Sequence, residues 1–260
     1  MSAADGSTTP ASGPRWQFRL RGLLLLVLAC ALVFAYVGRH LRIARREADV
    51  AVTLANLGAA VTLESSPAAP PLLRQLAPLH RLTSVSVRDQ RWLTAEADLF
   101  VAQLGRLSDL RHLRVRNTPL ESSHVRRLAA LERLEFLALA ECPLTSDDVR
   151  SLAALQRLVW LDLSGTPIGD AALTSLPPFR RLAVLDLAGT AIGDPSLAWI
   201  AQMPSLKLLD LSQTAVTDEG IVRLAALTQL EGLGLSNTQV SEAAIARLES
   251  VLPELRVDDD

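Results

Sequence analysis

A 24-residue repeat constrains this chain more than any other feature of its sequence. The stretch LVWLDLSGTPIGDAAL at residues 158–173 has counterparts one period before it and one and two periods after it. A repeating unit of this length cannot bury its apolar side chains alone and has to stack on its neighbours. The first apolar anchor recurs in five equal steps, at Leu113, Leu137, Leu161, Leu185, Leu209 and Leu233. The sequence therefore predicts a solenoid.

Each unit changes its hydrophobic period half-way along. Residues 161–164 (LDLS) alternate apolar and polar side chains, which predicts a short strand whose leucines face the core. Asp170 is followed by Leu173 and Leu176, the spacing of a short helix, and aspartate is a favoured helix N-cap. The predicted N-cap positions are Ser122, Ser146, Asp170, Asp194, Asp218 and Glu242. One unit thus predicts a strand, a turn and a short helix.

The residue pattern of the unit resembles the motif of the leucine-rich repeat family. The family motif LxxLxLxxTxIxDxxLxxL stands here as LVWLDLSGTPIGDAALTSL. The chain resembles the membrane-anchored leucine-rich repeat proteins of planctomycete bacteria. The resemblance implies an α/β fold, a leucine-rich repeat solenoid with a parallel sheet on its concave face and short helices on its convex face. The motif specifies the fold closely and the function only weakly.

The turn after each predicted strand carries a repeated hydroxyl. Its members are Thr118, Thr166, Thr190, Thr214 and Thr238, with Cys142 in the remaining position. Stacked hydroxyls can satisfy buried backbone groups and bridge one repeat to the next. The sequence therefore predicts a structural ladder at this turn.

The sequence ahead of the repeats predicts a membrane anchor. Residues 22–38 (GLLLLVLACALVFAYVG) contain no charged side chain, and as a helix they span roughly 25 Å. The following GRHLRIARR lacks the small-x-small pattern of a signal-peptide cleavage site. A cleaved signal peptide and a buried helix are the alternatives to a single-pass anchor in the cell membrane. Arginines flank the span on both sides, so the positive-inside rule does not set the orientation. The resemblance implies that the repeats lie outside the cytoplasm.

The chain divides into four predicted segments, and the first two strands are placed by spacing. The segments are a disordered basic tail, a transmembrane helix, a juxtamembrane helix with the N-terminal solenoid cap, and a repeat domain with a C-terminal cap, at residues 1–21, 22–38, 39–106 and 107–260. Val61 lies 24 residues before Val85, so strands are expected at both valines, joined by the proline-rich residues 65–71. A helix over residues 42–57 is expected to end near Gly58. With one strand in each of the six repeats and one in the C-terminal cap, these two strands give a predicted total of nine.

Charge and motifs exclude several classes of function. The net charge is −2, and because residues 1–46 carry seven arginines against one aspartate, residues 47–260 are acidic. Nucleic acid is therefore not an expected partner, since phosphate binding needs a basic surface. The sequence contains no HExxH, GxSxG or GxxxxGK[ST] motif. We therefore predict neither an enzyme nor a site for a cofactor, a metal or a small-molecule substrate.

The outward strand positions carry the candidate site. Large apolar side chains have no folding reason to face outward and often mark partner sites. Aspartates on adjacent strands lie about 5 Å apart, which disfavours full ionisation unless a cation compensates. The candidate partner-binding residues are Arg114, Arg116, Phe136, Trp160, Asp162, Val184, Asp186, Leu208 and Asp210. Two observations argue against a functional site. LDLS is a common strand sequence in such repeats, and the preceding turns can cover the outward apolar side chains.

Two functions remain open at the level of sequence. The first is a membrane-anchored leucine-rich repeat module whose concave sheet binds a protein or peptide with basic and apolar side chains. The second is a structural envelope spacer that self-associates through its repeats. Calcium at the aspartate column is disfavoured, because a flat ladder spreads its oxygens too widely for six to eight ligands.

Overall fold

The computed structural model describes residues 20–65, 80–107 and 109–259, and the chain divides into two units, residues 1–43 and 44–260. The strands are β1 Ala60–Ser65, β2 His80–Arg88, β3 His112–Arg116, β4 Phe136–Ala138, β5 Trp160–Asp162, β6 Val184–Asp186, β7 Leu208–Asp210, β8 Gly232–Gly234 and β9 Arg256–Asp258. The α-helices are α1 Leu20–Asn56, α2 Thr94–Leu104, α3 Ser122–Leu128, α4 Ser146–Ser151, α5 Asp170–Thr174, α6 Asp194–Ile200, α7 Asp218–Ile221 and α8 Glu242–Val251. Short 3-10 helices follow α4 and α7, at Leu152–Ala154 and Val222–Ala226.

One sheet contains the nine described strands in sequence order. From β2 to β9 the strands are parallel. Between β4 and β8 the register advances by one 24-residue unit per strand, so that Leu161 aligns with Leu185 and Leu185 with Leu209. The predicted α/β repeat fold with a parallel sheet is confirmed.

A single aliphatic core lies between the sheet and the row of helices. The anchor leucines of β3 to β8 are at most 2% exposed. They pack with one or more apolar side chains from each helix of the row, among them Val125, Val149, Leu173, Leu197 and Ile221. Each buried leucine contributes about 1.5–3 kcal/mol relative to an exposed one. The repeats are therefore held together by stacking, as the period requires.

The last turns of α1 close the N-terminal end of this core. Val50 and Leu54 belong to the core, and the Glu47 carboxylate accepts a hydrogen bond from the backbone N–H of Leu82. The helix stops at Gly58, whose φ is 81°, and the N–H of Ala59 donates to the carbonyl of Leu54. This left-handed glycine cap is the helix end that the sequence predicts at Gly58.

The first strand differs from the prediction in direction. Val61 does pair with Val85, as the 24-residue spacing indicates, but β1 runs antiparallel to β2. The N-terminal cap is therefore a strand pair with a register shift after Thr62, and it is not a further coil of the solenoid. The predicted proline-rich connection lies outside the described residues, apart from Ser65.

The helix caps lie one residue earlier than the sequence predicts. Each predicted cap residue is the first residue of its helix, and the N-caps are Glu121, Thr145, Gly169, Gly193, Thr217 and Ser241. The displaced aspartates reach the next repeat instead. Asp170 Oδ1 accepts from the N–H of Gly193, and Asp194 accepts from both the N–H and the hydroxyl of Thr217. These carboxylates join successive helix N-termini.

The threonine ladder does not bridge repeats. The hydroxyls of Thr166, Thr190 and Thr214 each donate to the carbonyl three residues earlier in the same unit, at 2.5–2.6 Å. The column therefore closes the turn of its own repeat, where the carbonyls of Leu163 and Leu187 also accept the backbone N–H of the same threonine. Only Cys142 reaches the preceding unit, where its thiol contacts the Val115 carbonyl at 3.6 Å.

The two N-terminal predictions have different outcomes. The tail predicted at residues 1–21 lies outside the described residues up to residue 19. Residues 22–38 lie within α1 and are helical. Among the residues that the structure describes, no helix combines the length and the apolar character needed to cross a membrane. The transmembrane helix predicted over residues 22–38 is thus without support from the structure.

Candidate functional site

The strand face, as we call the side chains of β2 to β9 that point away from the core, brings the predicted columns together. Trp160, Val184 and Leu208 align in register across β5, β6 and β7. Two positions further along the same strands, Asp162 aligns with Asp186 and Asp186 with Asp210. Residues 48 positions apart in sequence therefore line one continuous surface.

Aromatic rings form the middle of the strand face. The Phe136 and Trp160 ring centroids are 5.1 Å apart, and the His112 and Phe136 centroids are 6.1 Å apart. Trp160 is 38% exposed and Leu208 is 44% exposed. The preceding turns therefore do not cover these two side chains, and the strand face offers apolar surface to a partner.

Of the two candidate arginines, Arg116 is paired within the protein, and Arg114 has no ion pair within the part of the chain that the structure describes. The Arg116 guanidinium pairs with the Glu141 carboxylate at 2.6 Å, and this bond raises the pKa of Arg116. Its charge is therefore compensated within the protein. Arg114 is exposed, and its guanidinium carbon lies 5.1 Å from the centre of the Phe136 ring. This cation–π contact holds Arg114 on the strand face without neutralising it.

The aspartates are fixed by their own strand ends. Asp162 Oδ1 accepts from the N–H and the hydroxyl of Ser164, and Asp186 Oδ1 accepts from the N–H of Ala188 at 3.1 Å. Asp210 Oδ1 likewise accepts from the N–H two residues on, at 2.9 Å. One oxygen of each carboxylate is thus engaged in a turn, while the column remains partly exposed.

Asp186 is the aspartate most affected by its surroundings. Burial, together with the smaller effect of the charges of Asp162 and Asp210, raises the pKa of its carboxyl to about 6 against the opposing Ala188 hydrogen bond. The predicted repulsion within the column is therefore present, but it is second to desolvation. Because the ionised carboxylate is the less favourable form here, a cation bound beside it would lower this pKa.

A groove of about 350 Å³ runs along the C-terminal half of the strand face. Its outward-pointing walls are Trp160, Val184, Asp186, Leu208, Asp210, Gly232, Gly234, Arg256 and Asp258. A Cβ at Gly232 would lie 2.7 Å from Leu208 Cδ2, and a Cβ at Gly234 would lie 2.6 Å from Asp210 Oδ1. The side chains of Leu208 and Asp210 therefore lie over the two glycines of β8, in space that a larger residue there would need.

Sequence reasoning missed the residues at the two ends of the strand face. Ser84 and Ser86 of β2 pair with His112 and Arg114, and with Phe136 they line a pocket of about 150 Å³. At the other end, Arg256 and Asp258 extend the two columns onto β9. Both pairs of residues continue the periodic columns, so extending each column onto every predicted strand identifies them.

The chemistry of this surface is that of recognition. Among the described residues, no group of three or more histidine, cysteine, aspartate or glutamate side chains could hold a metal ion. The expectation that the protein is not an enzyme and uses no cofactor stays a prediction. What the geometry offers is a strip of exposed apolar side chains. Arg114, unpaired among the residues described, lies near the β3 end of this strip, and a row of carboxylates lies beside it on β5 to β7.

Comparison with known proteins gives a match to one repeat. A family model described as a leucine-rich repeat matches residues 202–225, a segment of one period that contains β7 and α7. Residues 202–225 form a leucine-rich repeat. No curated protein matches the chain. The resemblance to planctomycete proteins stays a prediction.

Two solved structures of internalins from Listeria monocytogenes are similar to parts of this chain. Internalin inlF shares 18% sequence identity over 62% of this chain and 50% of its own, with a TM-score of 0.46. Internalin C2 (inlC2) shares 20% identity over 69% of this chain and 81% of its own, with a TM-score of 0.48. The alignment thus spans half the length of the first internalin.

Proposed function

We propose that this chain is a leucine-rich repeat protein whose strand face binds a protein or peptide partner. The observation that carries the proposal is the exposure of Trp160 and Leu208 in the middle of an otherwise closely packed sheet. Large exposed apolar side chains next to charged ones are the usual composition of a recognition surface. Repeat solenoids commonly bind proteins on the surface that their strands present, and the family match at residues 202–225 supports this assignment.

The partner that we propose has basic and apolar side chains. Asp162, Asp186 and Asp210 put three carboxylates beside the apolar strip. A cationic side chain there would compensate the repulsion between these carboxylates and favour the ionised form of Asp186, whose pKa is raised. Basic side chains also have long aliphatic stems, which can pack on Trp160 and Leu208 while the charge meets the aspartates.

Affinity capture with matched variants tests the binding face. The full chain is compared with Trp160→Ala and Leu208→Ala, and with Leu99→Ala as a control, since Leu99 is an apolar residue on α2 that is 42% exposed and lies outside the sheet. Partners that recur are purified and their affinities are measured by calorimetry. We expect the two strand-face variants to weaken binding roughly tenfold or more, as truncation of a central aromatic or aliphatic anchor does, and Leu99→Ala to leave it unchanged. Equal affinities for all three variants would place the binding surface elsewhere.

Self-association is the second candidate, and a groove on the helix side favours it. Ile221, Val222, Leu248 and Val251 line this groove of about 310 Å³, and Val251 is 58% exposed. A spacer built from stacked copies would bury this surface. Sedimentation of the full chain across a hundredfold range of concentration, with Val251→Glu as the variant, measures it. A single monomeric species at all concentrations excludes this function.

We also propose that residues 22–38 anchor the protein in the cell membrane, with the repeats outside the cytoplasm. The support is the uncharged run in the sequence together with the exposure of Leu32 and Phe34, 63% and 77%, on α1. Fractionation of cells followed by protease treatment of intact cells tests both parts. Recovery of the repeats in the soluble fraction would exclude the anchor, and protection of the repeats in intact cells would reverse the orientation.

A further inference from the structure

The strand face carries two open pockets of opposite charge, one on each side of the Phe136–Trp160 pair. Arg114 and His112 line the first pocket together with the two serines of β2. Asp186 and Asp210 line the second, which is the groove described above. The apolar pair between them is partly exposed. A ligand that covers the whole strip therefore meets a positive charge, then apolar surface, then negative charge.

Arg114 is free to bind an anion. No ion pair of Arg114 is present among the described residues, whereas the neighbouring Arg116 is paired with Glu141. The Phe136 ring positions the Arg114 guanidinium, so that little side-chain freedom is left to lose on binding. The hydroxyls of Ser84 and Ser86 lie in the same pocket and can donate further hydrogen bonds to an acid.

We propose that the strand face binds an extended peptide segment of a protein partner, with an acidic side chain at Arg114, an apolar side chain on the Phe136–Trp160 pair and a basic side chain at Asp186. This rests on the proposed function and specifies the partner of the same surface. A uniformly basic segment would meet Arg114, and a uniformly acidic one would meet the aspartates. Only a segment with both charges satisfies both pockets.

The spacing of the strands fixes the spacing of the charges. Arg114 lies on β3 and Asp186 lies on β6, three strand positions away, which corresponds to about 14 Å at ~4.8 Å per strand. An extended peptide advances about 3.3 Å per residue, so the two charges lie about four residues apart. Side chains at positions i, i+2 and i+4 of an extended peptide face the same way. The segment therefore reads acidic-x-apolar-x-basic.

Two short peptides of identical composition test this spacing on the full chain. The first is the blocked peptide Glu-Ser-Leu-Ser-Arg, and the second is Glu-Arg-Leu-Ser-Ser, in which the charges are adjacent and face opposite ways. Binding of each fluorescently labelled peptide is measured by polarisation. We expect the first peptide to bind at least about tenfold more tightly, because only it can place both charges and the leucine at once.

Charge-removing variants assign the two ends of the peptide. Arg114→Gln and Asp186→Asn should each weaken the first peptide roughly three- to tenfold, the range for one partly exposed charge-assisted contact. The second peptide keeps its glutamate and leucine on one face, so Arg114→Gln should weaken it as well, whereas Asp186→Asn should leave it unchanged. The controls are Arg126→Gln and Glu219→Gln, which remove exposed charges on α3 and α7, away from the sheet. These controls should change neither affinity.

The outcomes separate this inference from the proposed function. Equal affinity for the two peptides, no measurable binding of the first at millimolar concentration, or unchanged affinity in Arg114→Gln and Asp186→Asn overturns the acidic-x-apolar-x-basic assignment. Protein capture that still depends on Trp160 would then keep the strand face as the binding surface. Conversely, if Trp160→Ala captures protein partners as well as the unaltered chain does, the proposed function itself is wrong.

Discussion

At the scale of single residues, Asp186 shows how the strand face combines packing with charge. Its carboxyl is half-buried between Asp162 and Asp210, and its pKa is raised to about 6. The folded protein therefore holds a proton at this position between pH 4 and pH 6 that the unfolded chain has released. Stability from this group is present below the unfolded pKa, near 4, and is lost as the pH rises through 6.

Replacing Asp186 by asparagine should stabilise the protein at neutral pH. The amide oxygen can still accept from the N–H of Ala188, while the cost of an ionised group disappears. At this half-exposed site solvent screening limits the gain to on the order of 1 kcal/mol. Urea unfolding of both proteins at pH 7.5 and pH 4 measures it. The gain should be present at the higher pH and absent at the lower one, and a gain independent of pH would contradict the account.

Gly234→Ala tests whether the strand face depends on close approach between strands. The added Cβ would lie 2.6 Å from Asp210 Oδ1 and 3.0 Å from Ser212 Oγ, so Asp210 has to leave its hydrogen bond to the N–H of Ser212. We expect a loss of about 1 kcal/mol in unfolding free energy, the value of one such bond. In an Asp210→Ala background the same glycine change should cost close to nothing. Equal costs in both backgrounds would show that the strain lies in the backbone instead.

Sequence reasoning predicted the alignment of the outward columns, but not the ion pair of Arg116. The periodic columns identified Trp160, Asp186 and Leu208, because in a parallel stack residues one period apart become neighbours. The pairing of Arg116 with Glu141 was missed because the two lie 25 residues apart, one more than the period. Glu141 also has a φ of 57°, and this left-handed turn conformation redirects its side chain in a way that no periodicity encodes.

At the scale of secondary-structure elements, carboxylates join each helix to the next. Asp194 begins α6 and accepts hydrogen bonds from the N–H and the hydroxyl of Thr217, the N-cap of α7. Asp218 makes the same two bonds to Ser241 one repeat later. The sequence correctly identified this column as belonging to helix starts. It could not show that the bonds go to the following repeat, because cap preferences describe one helix at a time.

Asp194→Ala should therefore weaken the stack and not only its own helix. Losing both bonds to Thr217 leaves the start of α7 without its bridging acceptor, at an expected cost of about 1–2 kcal/mol. The control is Glu219→Ala, an exposed acidic residue on α7, which should cost less than about 0.5 kcal/mol. Denaturant unfolding measures both. Equal costs for the two variants would show that the bridges contribute nothing beyond an ordinary surface charge.

At the scale of the whole molecule, the 24-residue period determines the fold because every unit divides its strand in the same way between core and surface. Each strand buries leucine on one side and presents its remaining side chains on the other, so the sheet, its order and its register all follow from the spacing. The N-terminal cap breaks the pattern, because β1 keeps the 24-residue pairing of Val61 with Val85 but runs antiparallel to β2. Spacing alone therefore gave the partner of β1 but not its direction.

The measurement that tests the account most directly is hydrogen exchange of the full chain with and without its captured partner. We predict slower exchange on binding in the segments around β4 to β7, with unchanged exchange in α4 to α7 on the other side of the core. That result would place the partner on the strip from Phe136 to Asp210. Protection confined to the helices, with the strand segments unaffected, would contradict the central claim that the strand face is the binding surface.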